Sequence, residues 1–247
     1  FDEYRSEKFK PQEVCMKDDG KVKKGLTRRN FLKSAGGAAA VAGLTTGGIA
    51  LGASESRAAA GVMPRKWDET FDVVVIGSGF AGLAAAIEAK NAGASTVVIE
   101  KMMVHGGNSI INGGDFCAPD TKLQREAGVK DSPELMYNDM MKAGAYLNHP
   151  ELVKTVAYGA KDALEWCENY LGAKFTRLNF HGGHSVKRAN QTANASGSEV
   201  VNKEFAKAKS LAVVVHLRTK MERLIVDKNG RAVGVEVKKG YKFPDDK

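Results

Sequence analysis

Three glycines and one acid in residues 77–100 are the side chains most suited to binding a phosphorylated ligand. The stretch at 77–82 reads Gly-Ser-Gly-Phe-Ala-Gly, and an acid follows 18 positions after its last residue. In a dinucleotide site such glycines allow a tight turn, close approach of the pyrophosphate, and close helix–strand packing. The acid accepts hydrogen bonds from ribose hydroxyls and disfavours the 2′-phosphate of NADP. The predicted dinucleotide contacts are Gly77, Ser78, Gly79, Ala81, Gly82 and Glu100.

A strand must precede this turn and a helix must follow it. Residues 71–76 form a continuous apolar run with β-branched side chains, which predicts a buried parallel strand. Helical spacing of apolar residues continues from Leu83 to about Gly93, and a second strand is predicted at 96–99. The glycine turn therefore lies in a β-α-β unit, which makes the dinucleotide assignment far more specific than the motif alone.

The next segment favours FAD over NAD. Residues 100–116 contain Glu-Lys, then Gly-Gly-Asn-Ser, then a second Gly-Gly pair. Here the chain resembles the fumarate reductase/succinate dehydrogenase flavoprotein family, especially its soluble periplasmic members. The resemblance implies that this segment wraps the FAD pyrophosphate and runs under the isoalloxazine ring. The residues it assigns to FAD are Lys101, Asn108, Ser109, Gly113 and Gly114, and Gly114 is also expected to present its backbone near the substrate.

The same resemblance predicts non-covalent FAD. Membrane-bound members attach FAD through a histidine, and alignment of the closing Gly-Gly pairs places that position at Gly107, not at His105. His105 is then either a plain loop residue or a hydrogen-bond partner of the flavin or substrate.

Residues 181–190 contain two histidines, an arginine and an asparagine. His181 and His184 have no nearby carboxylate or cysteine in sequence to complete a metal site, so no metal is predicted. The segment resembles a family stretch with Ser, Arg and His on the flavin side of the active site, although Asn190 stands in place of the histidine. Arg188 is therefore either a contact of the flavin or an acidic substrate, or a surface arginine.

The remaining pattern completes an α/β fold of the glutathione reductase type, a Rossmann-like FAD-binding domain with a β-meander. Helices are predicted to begin near Asp131 and near Asn148, each three positions before a glutamate. Three strands are predicted between 211 and 239, with an Asn-Gly turn before the last. The resemblance implies that this meander lies beside FAD and contacts the adenine near Met221.

An export signal is predicted at the N-terminal end. Residues 27–33 read Thr-Arg-Arg-Asn-Phe-Leu-Lys, an uncharged stretch rich in Ala and Gly follows, and Ala58-Ala59-Ala60 resembles a cleavage site. This order is typical of a twin-arginine leader, which predicts passage through the Tat translocase, a periplasmic location and no membrane span after cleavage. We assign 1–60 to the leader and 61–247 to an FAD-binding domain whose cap domain lies outside this chain.

Composition excludes other classes. Residues 1–60 hold 11 Lys and Arg against 7 Asp and Glu, half of the formal net charge of +8, and the remaining excess is dispersed. No basic stripe with interleaved aromatics is present, so no nucleic acid is expected. The three cysteines have no CxxC or CxxCH spacing. Cys117 and Cys167 are expected to be free thiols.

The resemblance implies an FAD-dependent oxidoreductase that reduces a small unsaturated carboxylate such as fumarate. Electrons are expected from a c-type cytochrome or a quinol-linked donor, and the proton from an arginine in the cap domain. Two alternatives stay open: another FAD-dependent dehydrogenase or oxidase, of the ketosteroid or amino-acid type, and a flavin-binding electron-transfer module without its own substrate.

Overall fold

A computed structural model describes residues 63–244 of the chain. The predicted twin-arginine leader and Cys15 lie outside the described residues. Within residues 63–244, no helix combines the length and the apolar character needed to cross a membrane.

The elements follow the order expected for a β-α-β start. The strands are β1 (Val73–Ile76), β2 (Thr96–Ile99), β3 (Asp115–Cys117), β4 (Phe175–Asn179), β5 (Ala189–Thr192), β6 (Val214–His216), β7 (Thr219–Val226) and β8 (Ala232–Lys239). The helices are α1 (Phe80–Asn91), α2 (Lys122–Glu126), α3 (Pro133–Ala143), α4 (Pro150–Glu165) and α5 (Ser198–Ser210). A 3₁₀ turn spans Gly107–Ile110, and a π-helical turn at Trp166–Tyr170 continues α4.

The first sheet has the order β1-β2-β6, and all its pairs are parallel. Helix α1 packs against it, and Leu83 and Ile87 are fully buried. All four residues of β2 are buried, whereas β1 alternates, with Val74 38% and Ile76 48% exposed. The prediction that β1 is continuously buried is therefore wrong for one face, because among the described residues nothing covers that side of the strand.

A second, antiparallel sheet has the order β3-β5-β4. It packs with α3 and α4 through a core cluster that includes Met136, Leu164 and Phe175. Cys167 belongs to the same cluster and, like Cys117, is a free thiol, as predicted. Burial raises the pKa of the Cys167 thiol to about 12, so this side chain behaves as a small core residue.

Two of the three strands predicted near the C-terminal end form a hairpin, β7–β8, joined at Asn229-Gly230. The first of the three, β6, pairs instead with β2 in the parallel sheet. Because β6 joins the parallel sheet beside β2, only β7 and β8 of the three predicted strands form the described part of the meander.

The predicted starts of α3 and α4 differ in their capping residues. Ser132, not Asp131, caps α3 by accepting a hydrogen bond from the Leu135 N–H at 3.0 Å. Asn148 does not cap α4, because its Nδ2 donates to the carbonyl of Met140 at the end of α3. Both predictions located the helices correctly and assigned the wrong side chain to the cap.

The helical spacing of Leu152, Val156, Ala160 and Leu164 predicts one apolar face for α4, and the burial along the helix differs from it in part. Ala160 and Leu164 are buried as expected, but Leu152 is 64% and Val156 is 51% exposed. Val153 and Ala157 are buried in their place. The first two turns of the helix therefore present the neighbouring face to the core.

Candidate FAD-binding site

The glycine turn after β1 leads directly into the N-terminus of α1. Gly77 has φ +98°, a left-handed conformation that favours glycine, and its N–H donates to the Ile99 carbonyl at 2.8 Å. A Cβ at Gly82 would collide with the Gly77 carbonyl, so the helix can approach the turn only with glycine there. The glycines therefore let the helix lie close to the turn and give the turn a backbone conformation that other residues rarely adopt.

The N-cap residue of α1 has no side chain that could cap the helix. That residue is Gly79, and no side chain accepts the first N–H groups of α1 from that position. Unpaired N–H groups and the helix dipole favour an anion at such an end. Of these donors, the Phe80 N–H reaches Ser109 Oγ at 3.2 Å, which brings the segment after β2 onto the helix N-terminus.

Glu100 is joined to the glycine turn by a buried hydrogen-bond network. Its Oε2 accepts from the Ser78 N–H at 3.0 Å and from Ser78 Oγ at 2.6 Å, and its Oε1 accepts from the Met102 N–H at 2.8 Å. A carboxylate can accept about four hydrogen bonds, so one position stays available to a ribose hydroxyl.

The Ser78 side chain is used inside the fold. It is fully buried, and its Oγ also accepts from the Gly106 N–H at 3.0 Å. Ser78 thus joins Glu100 to the segment that follows β2. The predicted contact of Ser78 with the dinucleotide stays a prediction.

The glycine-rich segment presents some of its predicted contacts and buries another. Lys101, Asn108 and Gly113 are exposed, and Ser109 is half-buried. Gly114 is buried; its N–H donates to Asn112 Oδ1 at 2.7 Å, and its carbonyl accepts from the Thr192 N–H at 2.9 Å. Both polar groups of the Gly114 backbone are therefore bonded within the fold, and its expected place near the substrate stays a prediction.

A turn at 192–197, which the sequence motifs do not predict, supports the glycine-rich segment. Ser196 Oγ donates to the Ile110 carbonyl at 3.1 Å, and the Gly197 N–H donates to the Asn112 carbonyl at 3.0 Å. Thr192 Oγ1 in turn donates to the Ser196 carbonyl at 2.9 Å. The run of hydroxyl and amide residues at 190–198 is the signal that could have indicated such a turn.

Met221 lies on the same side as the predicted ribose contact. The Thr219 N–H at the start of β7 donates to the Glu100 carbonyl at 2.9 Å, and Met221 follows two residues later, half-buried. The geometry is compatible with the predicted adenine contact, which stays a prediction.

These features together fit a dinucleotide such as FAD. The helix N-terminus, with Gly79 at the N-cap, suits a pyrophosphate, Glu100 keeps an acceptor position, and a Cβ at Gly82 would destroy the turn. Residues 72–243 match the family described as FAD binding domain.

The chain belongs to this FAD binding domain family. FAD is therefore the cofactor of the site, as predicted. Residues 25–45 match the twin-arginine translocation pathway signal sequence. The match confirms the predicted export signal and indicates transport across the membrane.

Curated relatives carry the names of reductases. The acrylate reductase flavoprotein subunit of Shewanella woodyi is 43% identical over 219 residues, which are 88% of this chain and 42% of that protein. A fumarate reductase (cytochrome) of Shewanella frigidimarina is 37% identical over 191 residues, 76% of this chain and 33% of that protein. The chain spans less than half the length of these relatives. Both names agree with the resemblance found in the sequence.

A solved structure shows the same fold. The open conformation of a flavocytochrome c3 fumarate reductase superposes with a TM-score of 0.67 at 34% identity, over 69% of this chain and 30% of that chain. The predicted fold class of this FAD domain is confirmed.

Arg188 lies inside the FAD domain, so the surface interpretation is wrong. Its side chain is fully buried, with Nε 3.0 Å from Asp131 Oδ2 and Nη2 2.9 Å from Asp139 Oδ2. The guanidinium binds these two carboxylates, and its predicted contact with the flavin or an acidic substrate stays a prediction. Burial acts to raise the pKa of Asp139, but hydrogen bonds from Ser185 and the Arg188 charge outweigh it, and the pKa is lowered.

The histidines have structural surroundings. His105 stacks on Phe205 of α5 with ring centroids 3.7 Å apart, and its Nε2 lies 3.1 Å from Asn202 Oδ1. Burial and the nearby Arg188 charge lower the pKa of His184. Within residues 63–244, no group of three or more His, Cys, Asp or Glu side chains is arranged to hold a metal ion.

A cavity of about 310 Å³ lies beside the first turns of α1 and contains one buried acid. Its lining is mostly apolar and includes Ala84, Trp166 and Cys167. Glu204 on α5 is 2% exposed and also lines the cavity, and its Oε2 has no hydrogen-bond partner within the described residues. Burial raises the pKa of this carboxyl to about 8, so it holds a proton at neutral pH.

Proposed function

We propose that the protein carrying this chain is a periplasmic, FAD-dependent reductase of small unsaturated carboxylates such as acrylate or fumarate. The observation that carries the proposal is the cradle of Gly77–Gly82 and Glu100 with the segment 106–114 laid across the helix N-terminus. The names of the relatives, which align over most of this chain, support the substrate class.

The residues of this chain act by holding and orienting the cofactor. The first turn of α1, with Gly79 and Ala81, binds the pyrophosphate, and Glu100 accepts a hydrogen bond from the ribose. Asn108, Ser109 and Gly113 lie along the flavin, and Lys101 and Met221 lie toward the nucleotide end. FAD, when bound non-covalently here, supplies the hydride that is added to one carbon of the substrate double bond.

The proton for the other carbon and the clamps for the carboxylate come from the cap domain, outside this chain. The family resemblance implies an arginine as the proton donor. Electrons reach the flavin from a c-type cytochrome or a quinol-linked donor.

The test uses the full-length flavoprotein with reduced methyl viologen as the electron source. We expect oxidation of the viologen on addition of acrylate, fumarate or urocanate, with one acid clearly preferred. A protein that holds FAD but consumes no viologen with any alkene acid would contradict the proposal. Oxygen consumption with a steroid or amino acid would favour the dehydrogenase or oxidase alternative, and cytochrome oxidation without turnover of an acid would favour the carrier module.

The location is tested with the leader. Replacing Arg28 and Arg29 together by lysine should leave the uncleaved precursor in the cytoplasm, while the wild-type protein is found in the periplasmic fraction. Equal periplasmic yields of the two forms would contradict export through the twin-arginine pathway.

A further inference from the structure

Arg188 is the centre of a buried ion cluster outside the FAD cradle. Its Nε and Nη2 make two hydrogen bonds to the two oxygens of Asp131, at 3.0 and 2.9 Å. The same Nη2 lies 2.9 Å from Asp139 Oδ2. Gln124 Nε2 donates to Asp131 at 2.8 Å and to the Lys187 carbonyl at 2.7 Å. Arg188, the residue before β5, is thus bonded to Asp131 in the loop before α3 and to Asp139 in α3 itself.

Stability alone does not explain this cluster. Removing charges from water costs several kcal/mol per ion, and apolar side chains of similar volume often stabilise a protein as well or better. Moreover, Arg188 Nη1 is buried without a hydrogen-bond partner within the described residues. A bidentate guanidinium–carboxylate pair does fix the relative direction and the distance of its two side chains.

The backbone that Arg188 fixes leads directly to the cofactor segment. The Arg188 carbonyl accepts from the Ala118 N–H at 3.1 Å, and β5 begins at the next residue. From there β5 runs antiparallel to β3, with Asn190 opposite Phe116. Asn190 Nδ2 donates to the Phe116 carbonyl at 3.1 Å, which ties the two strands together by a side chain as well.

At its C-terminal end β5 holds the Gly113–Gly114 turn, whose two residues are predicted flavin contacts. The Thr192 N–H donates to the Gly114 carbonyl, and Gln191 Nε2 reaches the Gly113 carbonyl at 3.3 Å. Gly114 has no room to move toward β5, because a Cβ at this position would collide with Thr192 and Ser196. A displacement of β5 is therefore transmitted to Gly113 and Gly114.

We propose that Arg188 is a positioning residue for FAD: its bonds to Asp131 and Asp139 set the position of β5, and β5 sets the position of the Gly113–Gly114 turn against the flavin. The inference rests on the FAD site of the proposed function but not on the substrate. Its measurements are therefore made on FAD binding and not on turnover.

The experiment uses full-length flavoprotein, freed of FAD and reloaded, in four forms. The first is wild type. The second, Arg188→Met with Asp131→Asn and Asp139→Asn, removes all three charges together, so that no buried charge is left unpaired. The third, Arg188→Lys, keeps the charge but loses the bidentate hydrogen bonding to Asp131. The fourth is a control, Asp120→Asn, which removes the exposed carboxylate paired with Arg125 and Lys161.

The readouts are the FAD dissociation constant, the visible circular dichroism of the bound flavin, and the thermal midpoint of the apoprotein. We expect the neutral triple variant and Arg188→Lys to bind FAD at least about tenfold more weakly, with an altered flavin spectrum, at temperatures well below their midpoints. The control should bind within about twofold of wild type, with an unchanged spectrum.

A variant that keeps the wild-type dissociation constant and flavin spectrum, whatever its thermal midpoint, would overturn the proposal. If the triple variant does not fold, Arg188→Lys and the single change Asp139→Asn, which retains the Asp131 pair, decide by the same criterion. Failure of wild-type protein to reduce any alkene acid would contradict the proposed function and leave this inference intact.

Discussion

Two buried glutamates, one in the FAD cradle and one in the neighbouring cavity, have opposite surroundings. Glu100 is 5% exposed and accepts three hydrogen bonds from Ser78 and Met102. Glu204 is 2% exposed, and its Oε2 has no partner within residues 63–244. The first acid is part of a closely packed polar network, and the second lies beside empty space. Two acids with similar burial can therefore have different surroundings, and the hydrogen-bond donors are what distinguish Glu100 from Glu204.

The largest difference is expected when each acid is replaced by methionine. Glu100→Met leaves three buried donors without an acceptor and should lower the free energy of unfolding by about 4 kcal/mol. Glu204→Met removes a carboxyl that has no partner and should be neutral or stabilising at pH 9. Chemical unfolding of the apoprotein measures both. Equal losses in the two variants would remove the contrast.

The pH dependence of stability sharpens the same comparison. The pKa of Glu204 is about 8 in the folded protein and near 4.5 when unfolded, so the folded state binds the extra proton between these values. Stability should therefore fall as pH rises from about 4.5 to 8, at about 1.4 kcal/mol per pH unit from this group, and level off above it. Unfolding of wild type and Glu204→Gln across this range provides the measurement. Parallel curves for the two proteins would contradict the assignment.

Added volume should also affect the two regions differently. Gly82→Ala places a methyl group against the Gly77 carbonyl and should weaken FAD binding by about 30-fold or more. Ala84→Leu, two residues later on the side of the helix that lines the cavity, should change FAD binding by less than about threefold, because the cavity accepts the side chain. Titration of the apoprotein with FAD compares them. A weak effect of Gly82→Ala would show that the turn can rearrange.

The smallest effect is expected at the residue that joins the two regions. His105 lies in the chain between Glu100 and the segment 106–114. It stacks on Phe205, the residue after Glu204 in α5. His105→Ala should lower the free energy of unfolding by about 1 kcal/mol through loss of this stacking and of the Asn202 hydrogen bond. FAD absorbance should remain unchanged. A shifted flavin spectrum in this variant would instead place His105 at the cofactor.

The amino-acid sequence by itself determined the β-α-β unit, the glycine turn, the position of Glu100 and the FAD family. These features could be predicted because they are local: glycine spacing, apolar periodicity and the closing acid all lie within about thirty residues of one another. The strand pattern of the later part, β6 to β8, followed for the same reason.

Only the tertiary structure decided which polar groups face the ligand and which are used inside. Ser78 is directed to Glu100, Asn148 to the end of α3, and Arg188 to two aspartates 57 and 49 positions earlier in the chain. Burial depends on what packs from distant parts of the sequence, and a buried polar group binds whatever partner that packing supplies. For this reason Arg188, which the sequence left undecided between the cofactor site and the surface, is buried against two aspartates.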